Sequence, residues 1–180
     1  LDGDEGAVVG AWDILQVPAS GTLICPTLGH VLSPRSYYKP FGKRHVQTDT
    51  GRVRFFVDGQ HQIKMGLSDV QTTGRMAYYR KVGNVGTLIF RAFGPQPGQP
   101  YVDLPRASDA RFGGDVLQAY NDGGSFGGFG EMEYHEPALV AGKHPVRRSG
   151  TCVTHVLVGP DDAIRHVGRV LVGVNIDALA

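Results

Sequence analysis

The 180 residues of the chain are enough to bury a substantial core, and we expect residues 1–180 to form one domain. The formal net charge of +1 gives no reason to expect nucleic acid or an anionic membrane as a partner, and no run of 18 apolar residues could span a bilayer. The 26 glycines and 11 prolines, with many Val, Thr, Tyr and Phe residues, predict short strands and many turns. The expected fold class is therefore all-β.

The first predicted elements are short. Residues 11–17 fit either a short helix or a strand, with Trp12 and Leu15 facing inward. Residues 22–26 form an apolar run that predicts a strand, and residues 33–41 form a proline-rich loop with two tyrosines.

The middle of the chain gives the clearest local signal. Residues 53–67 contain two apolar-rich runs around Asp58-Gly59, a pair typical of two-residue β-hairpins. Residues 75–81 and 85–93 predict a second strand pair around a Gly-Asn turn.

Two further strands are predicted at residues 115–120 and 129–135, joined by a glycine-rich turn. Successive side chains of a strand point to opposite faces, so Met132 and Tyr134 lie on one face of the second strand. Its other face carries Glu131, Glu133 and His135. A row of polar side chains is often a solvated sheet face, and we favour that interpretation for Glu131. The surrounding Gly, Asn and Asp residues favour a shaped polar cavity for the other two.

The C-terminal part predicts a strand at residues 152–158 and one turn of helix at residues 160–166. Cys25 and Cys152 are too few for a disulfide framework and lack metal-binding spacing. We expect both thiols to be free and buried, with a single long-range disulfide as the alternative.

No cofactor motif is present. Glu131, Glu133, His135 and His144 lack the spacing of a metal motif, and the chain has no phosphate-binding loop or nucleophile elbow. We therefore expect neither a metal nor an organic cofactor. A carboxylate beside a histidine can instead transfer protons on a sugar hydroxyl. Lys64 is either a solvated lysine or one that reaches across such a polar cavity.

Four motifs together resemble an uncharacterised bacterial family related to the galactose mutarotase-like β-supersandwich proteins. The motifs are W-x-I-L-Q-V-P, D-G-x-x-x-I-K-M-G-L, G-D-V-L-Q-A-Y-N-D-G and F-G-E-M-E-Y-H-E-P-A-L. The resemblance covers roughly residues 10–173 and is most specific over residues 114–139. It implies an antiparallel β-sandwich that forms the C-terminal part of a larger supersandwich. A second polypeptide, an N-terminal part or an oligomer would then supply the missing strands.

Residues 132–135, followed by Pro137, are also similar to the aldose 1-epimerase run Leu-Glu-Thr-Gln that supplies the catalytic base. The similarity implies that Glu133 takes the proton of the anomeric hydroxyl, with His135 beside it as the second catalytic candidate. The residues that would bind sugar hydroxyls are Asp115, Asn121, Asp122, Glu131 and Lys64. The histidines that epimerases carry on earlier strands have no matching motif here.

These observations give competing hypotheses. The first is a carbohydrate-active protein that uses acid/base chemistry at a sugar anomeric centre, an aldose 1-epimerase-like isomerase if it is active. The second is a non-catalytic subunit that binds a sugar or oligosaccharide or acts in assembly, and a polysaccharide lyase or hydrolase is a third. The sequence leaves the compartment open, a periplasmic or secreted location included.

Overall fold

The computed structural model describes residues 6–31, 33–103, 113–142 and 147–177. Within these residues the regular secondary structure is mostly β-strand, with one helix, α1 (Asp161–Val172). The strands are β1 (Val8–Val9), β2 (Trp12–Pro18), β3 (Gly21–Pro26), β4 (Arg35–Ser36), β5 (Val46–Asp49), β6 (Arg52–Val57), β7 (Ile63–Leu67), β8 (Arg75–Val82), β9 (Val85–Phe93), β10 (Leu117–Asn121), β11 (Phe129–His135), β12 (Leu139–Val140) and β13 (Cys152–Pro160). In the part of the chain that the structure covers, no helix has the length and apolar character needed to cross a membrane.

Two large antiparallel sheets face each other. The five-stranded sheet has the order β2-β11-β10-β7-β4, and the six-stranded sheet has the order β13-β9-β8-β3-β6-β5. Their inner faces share one core, to which the six-stranded sheet contributes Leu23, Phe55 and Tyr78 and the five-stranded sheet contributes Met65 and Met132. Burial of such side chains is the main force that holds two sheets together. The all-β, sandwich-like prediction is therefore confirmed.

Helix α1 covers the outer face of the six-stranded sheet. Ile164, Val172 and the following Ile176 pack there against Ile24 and Leu88. The prediction of a single helical turn at residues 160–166 is wrong, because α1 is twelve residues long and ends at Val172. The apolar positions at 164 and 172 are two turns apart on one face, and that spacing extends the amphipathic stripe beyond the predicted end.

The Asp58-Gly59 pair is not a hairpin, and that prediction is wrong. Strand β6 pairs with β3 and β5 in one sheet, whereas β7 pairs with β10 and β4 in the other. The segment between them carries the chain across the sandwich. Asp58 accepts bonds from the backbone N–H groups of Gln60 and His61, and Gly59 adopts φ +67°, so the same residue types build a crossover loop.

The second predicted strand pair is a true hairpin. Strands β8 and β9 pair along their whole length, with Val82 opposite Val85 around the two-residue turn. The predicted segment 11–17 is a strand and not a helix, because β2 runs from Trp12 to Pro18 and its side chains alternate with a period of two. Leu15 and Val17 consequently pack toward the core, while Trp12 is 51% exposed, and the prediction that Trp12 faces inward is wrong.

Neither cysteine forms a disulfide. Cys25 is buried and Cys152 is half-buried, and both are free thiols. Burial raises the pKa of Cys25 to about 12, which keeps it in the unreactive thiol form. The prediction of two free cysteines is confirmed, although Cys152 is less buried than expected.

Candidate functional site

The outer face of the five-stranded sheet carries the predicted polar side chains. On β11, Met132 and Tyr134 point into the core, so Glu133 and His135 point to the opposite face, as predicted. Both of these polar residues are nevertheless buried, and Glu133 has no exposed surface at all. This face of the sheet is therefore a covered polar site at β11 and not a plain solvated surface.

Strand register sets the neighbours of the two residues. Glu133 lies opposite Gln118 on β10 and Ile14 on β2, and His135 lies opposite Trp12 on β2. Directly opposed residues have Cβ atoms about 4.5–5.5 Å apart, so these side chains meet without any loop movement.

Glu133 is held by one of its two carboxylate oxygens. Its Oε2 accepts a hydrogen bond from Lys64 Nζ at 2.8 Å and another from Trp12 Nε1 at 2.8 Å. Its Oε1 is buried and has no hydrogen-bond partner in the described part of the chain. Burial raises the pKa of Glu133, and the Lys64 ammonium offsets part of that rise. The carboxylate is thus fixed in position, with one buried oxygen left without a hydrogen-bond partner.

Lys64 reaches across the polar site. Its Nζ lies 3.9 Å from Asp103 Oδ2, 4.9 Å from the centre of the Trp12 ring and 5.2 Å from the centre of the Tyr37 ring. The side chain is 9% exposed, so the alternative of a solvated lysine is excluded. A buried ammonium needs such partners, because leaving it unpaired costs several kcal/mol.

His135 is a neutral hydrogen-bond donor. Gln118 Nε2 donates to Asp103 Oδ2 at 2.6 Å and to Tyr37 Oη at 2.5 Å, so the other side-chain atom of Gln118 is its acceptor oxygen. His135 Nε2 lies 3.0 Å from that oxygen and therefore carries the proton. Burial lowers the pKa of His135 to about 4, although the Asp103 carboxylate acts in the opposite direction. The imidazole also stacks on Trp12, with ring centres 5.8 Å apart.

Asp115, two residues before the start of β10, joins the same network. Tyr37 Oη donates to Asp115 Oδ2 at 2.8 Å, and Arg35 Nη1 lies 3.4 Å from Asp115 Oδ1. The carboxylate fills the space above Gly66, where a Cβ atom would lie 1.9 Å from Oδ2. Burial raises the pKa of Asp115 to about 6.

The connected set, which we call the Glu133 network, comprises Glu133, Lys64, Trp12, His135, Gln118, Asp103, Tyr37 and Asp115.

Three other predicted site residues form hydrogen bonds outside the Glu133 network. Asn121 is buried but bonds to the loop between β6 and β7, where its Oδ1 accepts from Gly59 N at 2.8 Å. Asp122 shapes the glycine-rich turn by accepting from Gly124 N at 2.7 Å. Glu131 is only half-buried and accepts a bond of 3.4 Å from Gln16. His144 lies outside the described residues.

The site residues predicted from the sequence did not include four members of the Glu133 network, namely Trp12, Tyr37, Asp103 and Gln118. A signal existed for Gln118, which is a polar residue between the apolar residues Leu117 and Ala119 of β10 and lies directly opposite Glu133. The loop residue Asp103 carried no such signal, because only the tertiary fold brings it to β10.

Residues 14–180 match the family described as "Family of unknown function (DUF6786)". No curated protein and no solved structure gives a significant match. Because the match runs from the middle of β2 to the C-terminal residue, it includes most of the Glu133 network. The chain belongs to the DUF6786 family.

Proposed function

We propose that the protein is carbohydrate-active and interconverts the anomers of a sugar by acid/base chemistry, as aldose 1-epimerases do. The observation that supports this best is Glu133, a fully buried carboxylate with one oxygen tethered and the other unpartnered. Burial raises the pKa of Glu133, which makes the carboxylate a stronger base. A sugar hydroxyl is a donor that matches the free Oε1 atom.

The proposed reaction uses few groups. Glu133 Oε1 takes the proton of the anomeric hydroxyl, the bond between the anomeric carbon and the ring oxygen breaks, and the ring oxygen takes up a proton to give the open-chain aldehyde. Ring closure on the other face of the aldehyde reverses these transfers. Lys64 is the donor we assign to the ring oxygen, because its ammonium already lies 2.8 Å from Glu133. His135 remains the second catalytic candidate from the sequence, although its Nε2–H is used by Gln118.

Trp12 suits the apolar face of a sugar ring. It is half exposed while the carboxylate it contacts is fully buried, so it connects the Glu133 network to solvent. Stacking of C–H groups on an indole face adds apolar contact beside hydroxyl recognition. The galactose mutarotase-like relationship belongs to this proposal, and the two facing antiparallel sheets support it only as an architecture that such proteins share.

A second candidate is a non-catalytic sugar-binding subunit. The observation that favours it is the complete burial of Glu133, which seals the Lys64–Glu133 pair from solvent and leaves Trp12 as the accessible surface. In that case the buried pair holds the sheet face in shape, and the sugar stacks on the indole without reaching Oε1.

One experiment separates the two candidates. Anomer exchange of a sugar panel is measured by NMR exchange spectroscopy or polarimetry with wild type, Glu133→Gln and Glu131→Gln. Catalysis predicts acceleration by wild type, a loss of about 10²–10⁴-fold in Glu133→Gln, and near wild-type rates in the matched Glu131→Gln control on the same strand face. Trp12 is the only tryptophan of the chain, so its fluorescence reports binding at the same place. A fluorescence change without acceleration favours the binding subunit, and neither signal with any sugar refutes both candidates.

A further inference from the structure

A second cluster of chemistry-bearing side chains lies on the loops around the β6–β7 crossover and shares no residue with the Glu133 network. His45 precedes β5, Asp58 follows β6, and His61 lies two residues before β7. Their potential ligand atoms all lie within 4.8 Å of one another. We propose that His45, Asp58 and His61 bind a divalent transition-metal ion of the Zn²⁺ type.

The geometry is close to that of a three-ligand site. Asp58 Oδ2 lies 2.9 Å from His45 Nε2 and 2.6 Å from His61 Nδ1, and the two ring centres are 4.9 Å apart. Ligand atoms around a tetrahedral zinc ion, at about 2.0–2.1 Å from the metal, are about 3.3 Å from each other. A tetrahedral site therefore needs each Asp58 contact to open by less than an ångström and the two imidazole nitrogens, which lie within 4.8 Å of each other, to take up a similar spacing.

The carboxylate is oriented by a complete set of outer hydrogen bonds. Asp58 Oδ1 accepts from Gln60 N at 2.9 Å, from His61 N at 3.2 Å and from Asn121 Nδ2 at 2.7 Å. Asn121 is itself fully buried and is fixed by Gly59 N. One carboxylate oxygen is thus saturated by the protein, and the other is aimed at the two imidazoles. Metal-binding carboxylates and imidazoles typically have such outer partners.

The ligand set selects the class of ion. Two imidazole nitrogens and one carboxylate oxygen suit Zn²⁺ and its neighbours, whereas Mg²⁺ and Ca²⁺ prefer oxygen ligands. The His45 side chain is 10% exposed and anchors the site, while that of His61 is 47% exposed and lies at the surface. Three protein ligands with an exposed side leave a coordination position for water or another ligand.

The test is metal titration of untagged protein. Isothermal titration calorimetry with Zn²⁺ at neutral pH is expected to show saturable one-to-one binding, and Mg²⁺ is expected to show none. His61→Gln should abolish the binding, and because this side chain is exposed the variant should fold. His166→Gln on the exposed face of α1 is the matched control and should bind like wild type. Co²⁺ titration gives a second readout, since its visible absorption intensifies in a four-coordinate site.

Two further results separate a metal site from a purely structural hydrogen-bond cluster. In the NMR spectrum, Zn²⁺ should shift the ring signals of His45 and His61 together and leave those of His166 in place. Asn121→Ser should weaken binding by about 10–100-fold, the usual effect of removing an outer-shell partner. The proposal is overturned if wild type binds no Zn²⁺ stoichiometrically, or if His61→Gln binds it as tightly as wild type does.

Discussion

Lys64 on β7 reaches Glu133 on β11 across the whole width of the intervening strand β10, with Nζ 2.8 Å from Oε2. Both side chains are almost completely buried. Such a pair contributes little net stability, because the interaction only offsets the cost of removing two charges from water. Loss of one partner is strongly destabilising, since it leaves the other charge buried and uncompensated.

We therefore predict that Lys64→Met lowers the free energy of unfolding by about 3–5 kcal/mol, the usual cost of breaking a buried pair. Adding Glu133→Gln to this variant should recover part of the loss, because the orphaned carboxylate is then removed. Urea denaturation followed by circular dichroism measures both effects. Lys81→Met is the matched control, since the Lys81–Asp161 pair involves a 51% exposed lysine and should contribute less than about 1 kcal/mol. Equal losses in the two single variants would contradict the prediction.

The pH dependence of stability should show two opposed contributions. The folded-state pKa of His135 is lowered from 6.5 to about 4, so the unfolded chain binds more protons in this range and stability is lost as pH falls from about 6.5 to 4. The folded-state pKa of Asp115 is raised from 3.8 to about 6, so the folded chain binds more protons and stability is lost as pH rises from about 4 to 6.

Single variants separate these contributions. His135→Gln should flatten the fall in stability as pH decreases from about 6.5 to 4, because only the opposed Asp115 contribution of this pair then remains. Asp115→Asn should steepen the acid-side fall, because the Asp115 contribution that opposes that of the histidine is removed. Chemical denaturation at half-unit pH steps measures both slopes, and a pH profile unchanged in both variants would show that neither group is linked to folding in this way.

Gly66→Ala should disrupt the Glu133 network without changing any charge. The new Cβ would lie 1.9 Å from Asp115 Oδ2 and would displace a buried carboxylate. Overpacking of this kind typically costs about 1–3 kcal/mol. Gly94→Ala is the control, because a Cβ there meets nothing within 4 Å and the backbone is not left-handed. The prediction fails if the two variants have the same melting temperature.

Local patterns predicted the strands well and their partners poorly. The strand at residues 129–135 was predicted with its observed ends, because alternation and flanking glycines act within one segment. The predicted hairpin at Asp58-Gly59 was wrong because strand pairing depends on contacts outside the local segment. An Asp-Gly turn looks the same in sequence whether the next strand pairs with the last or crosses to the other sheet. In the crossover found here, Asn121, 63 residues further along the chain, donates a hydrogen bond to Asp58, and such a contact cannot be read from the local sequence.

In the candidate sites too, local patterns predicted residues of one strand but not the contacts that the fold creates between distant segments. Glu133 and His135 were predicted from one strand, and the structure places both in one network with Lys64 and Asp115. The His45 side chain could not be predicted as a partner of Asp58, because the spacing matches no metal motif. Contacts between loops of different strands depend on the sheet order, which local periodicity does not contain.

The last prediction concerns the edges of the two sheets. Strands β2 and β13 end their sheets in the described structure, and Arg91 on β9 contacts Asp13 on β2, so both edges lie on the same flank of the sandwich. On β13, Val156 and Val158 are each 65% exposed. A long, apolar strand edge is a site for pairing with another chain. We propose that another polypeptide covers this flank and that, in the isolated protein, a second copy does so.

Size-exclusion chromatography with light scattering over a concentration series tests this proposal. Wild type should associate reversibly as its concentration rises, and Val156→Lys should shift the protein toward monomer, because a charge at the centre of β13 opposes edge pairing. Val70→Lys is the matched control, since Val70 is 68% exposed but lies in a turn and not on β13, and it should associate like wild type. A wild-type protein that stays monomeric at every concentration excludes the second copy. If Val156→Lys and wild type associate equally, the contact lies elsewhere and β13 is not the edge that is covered.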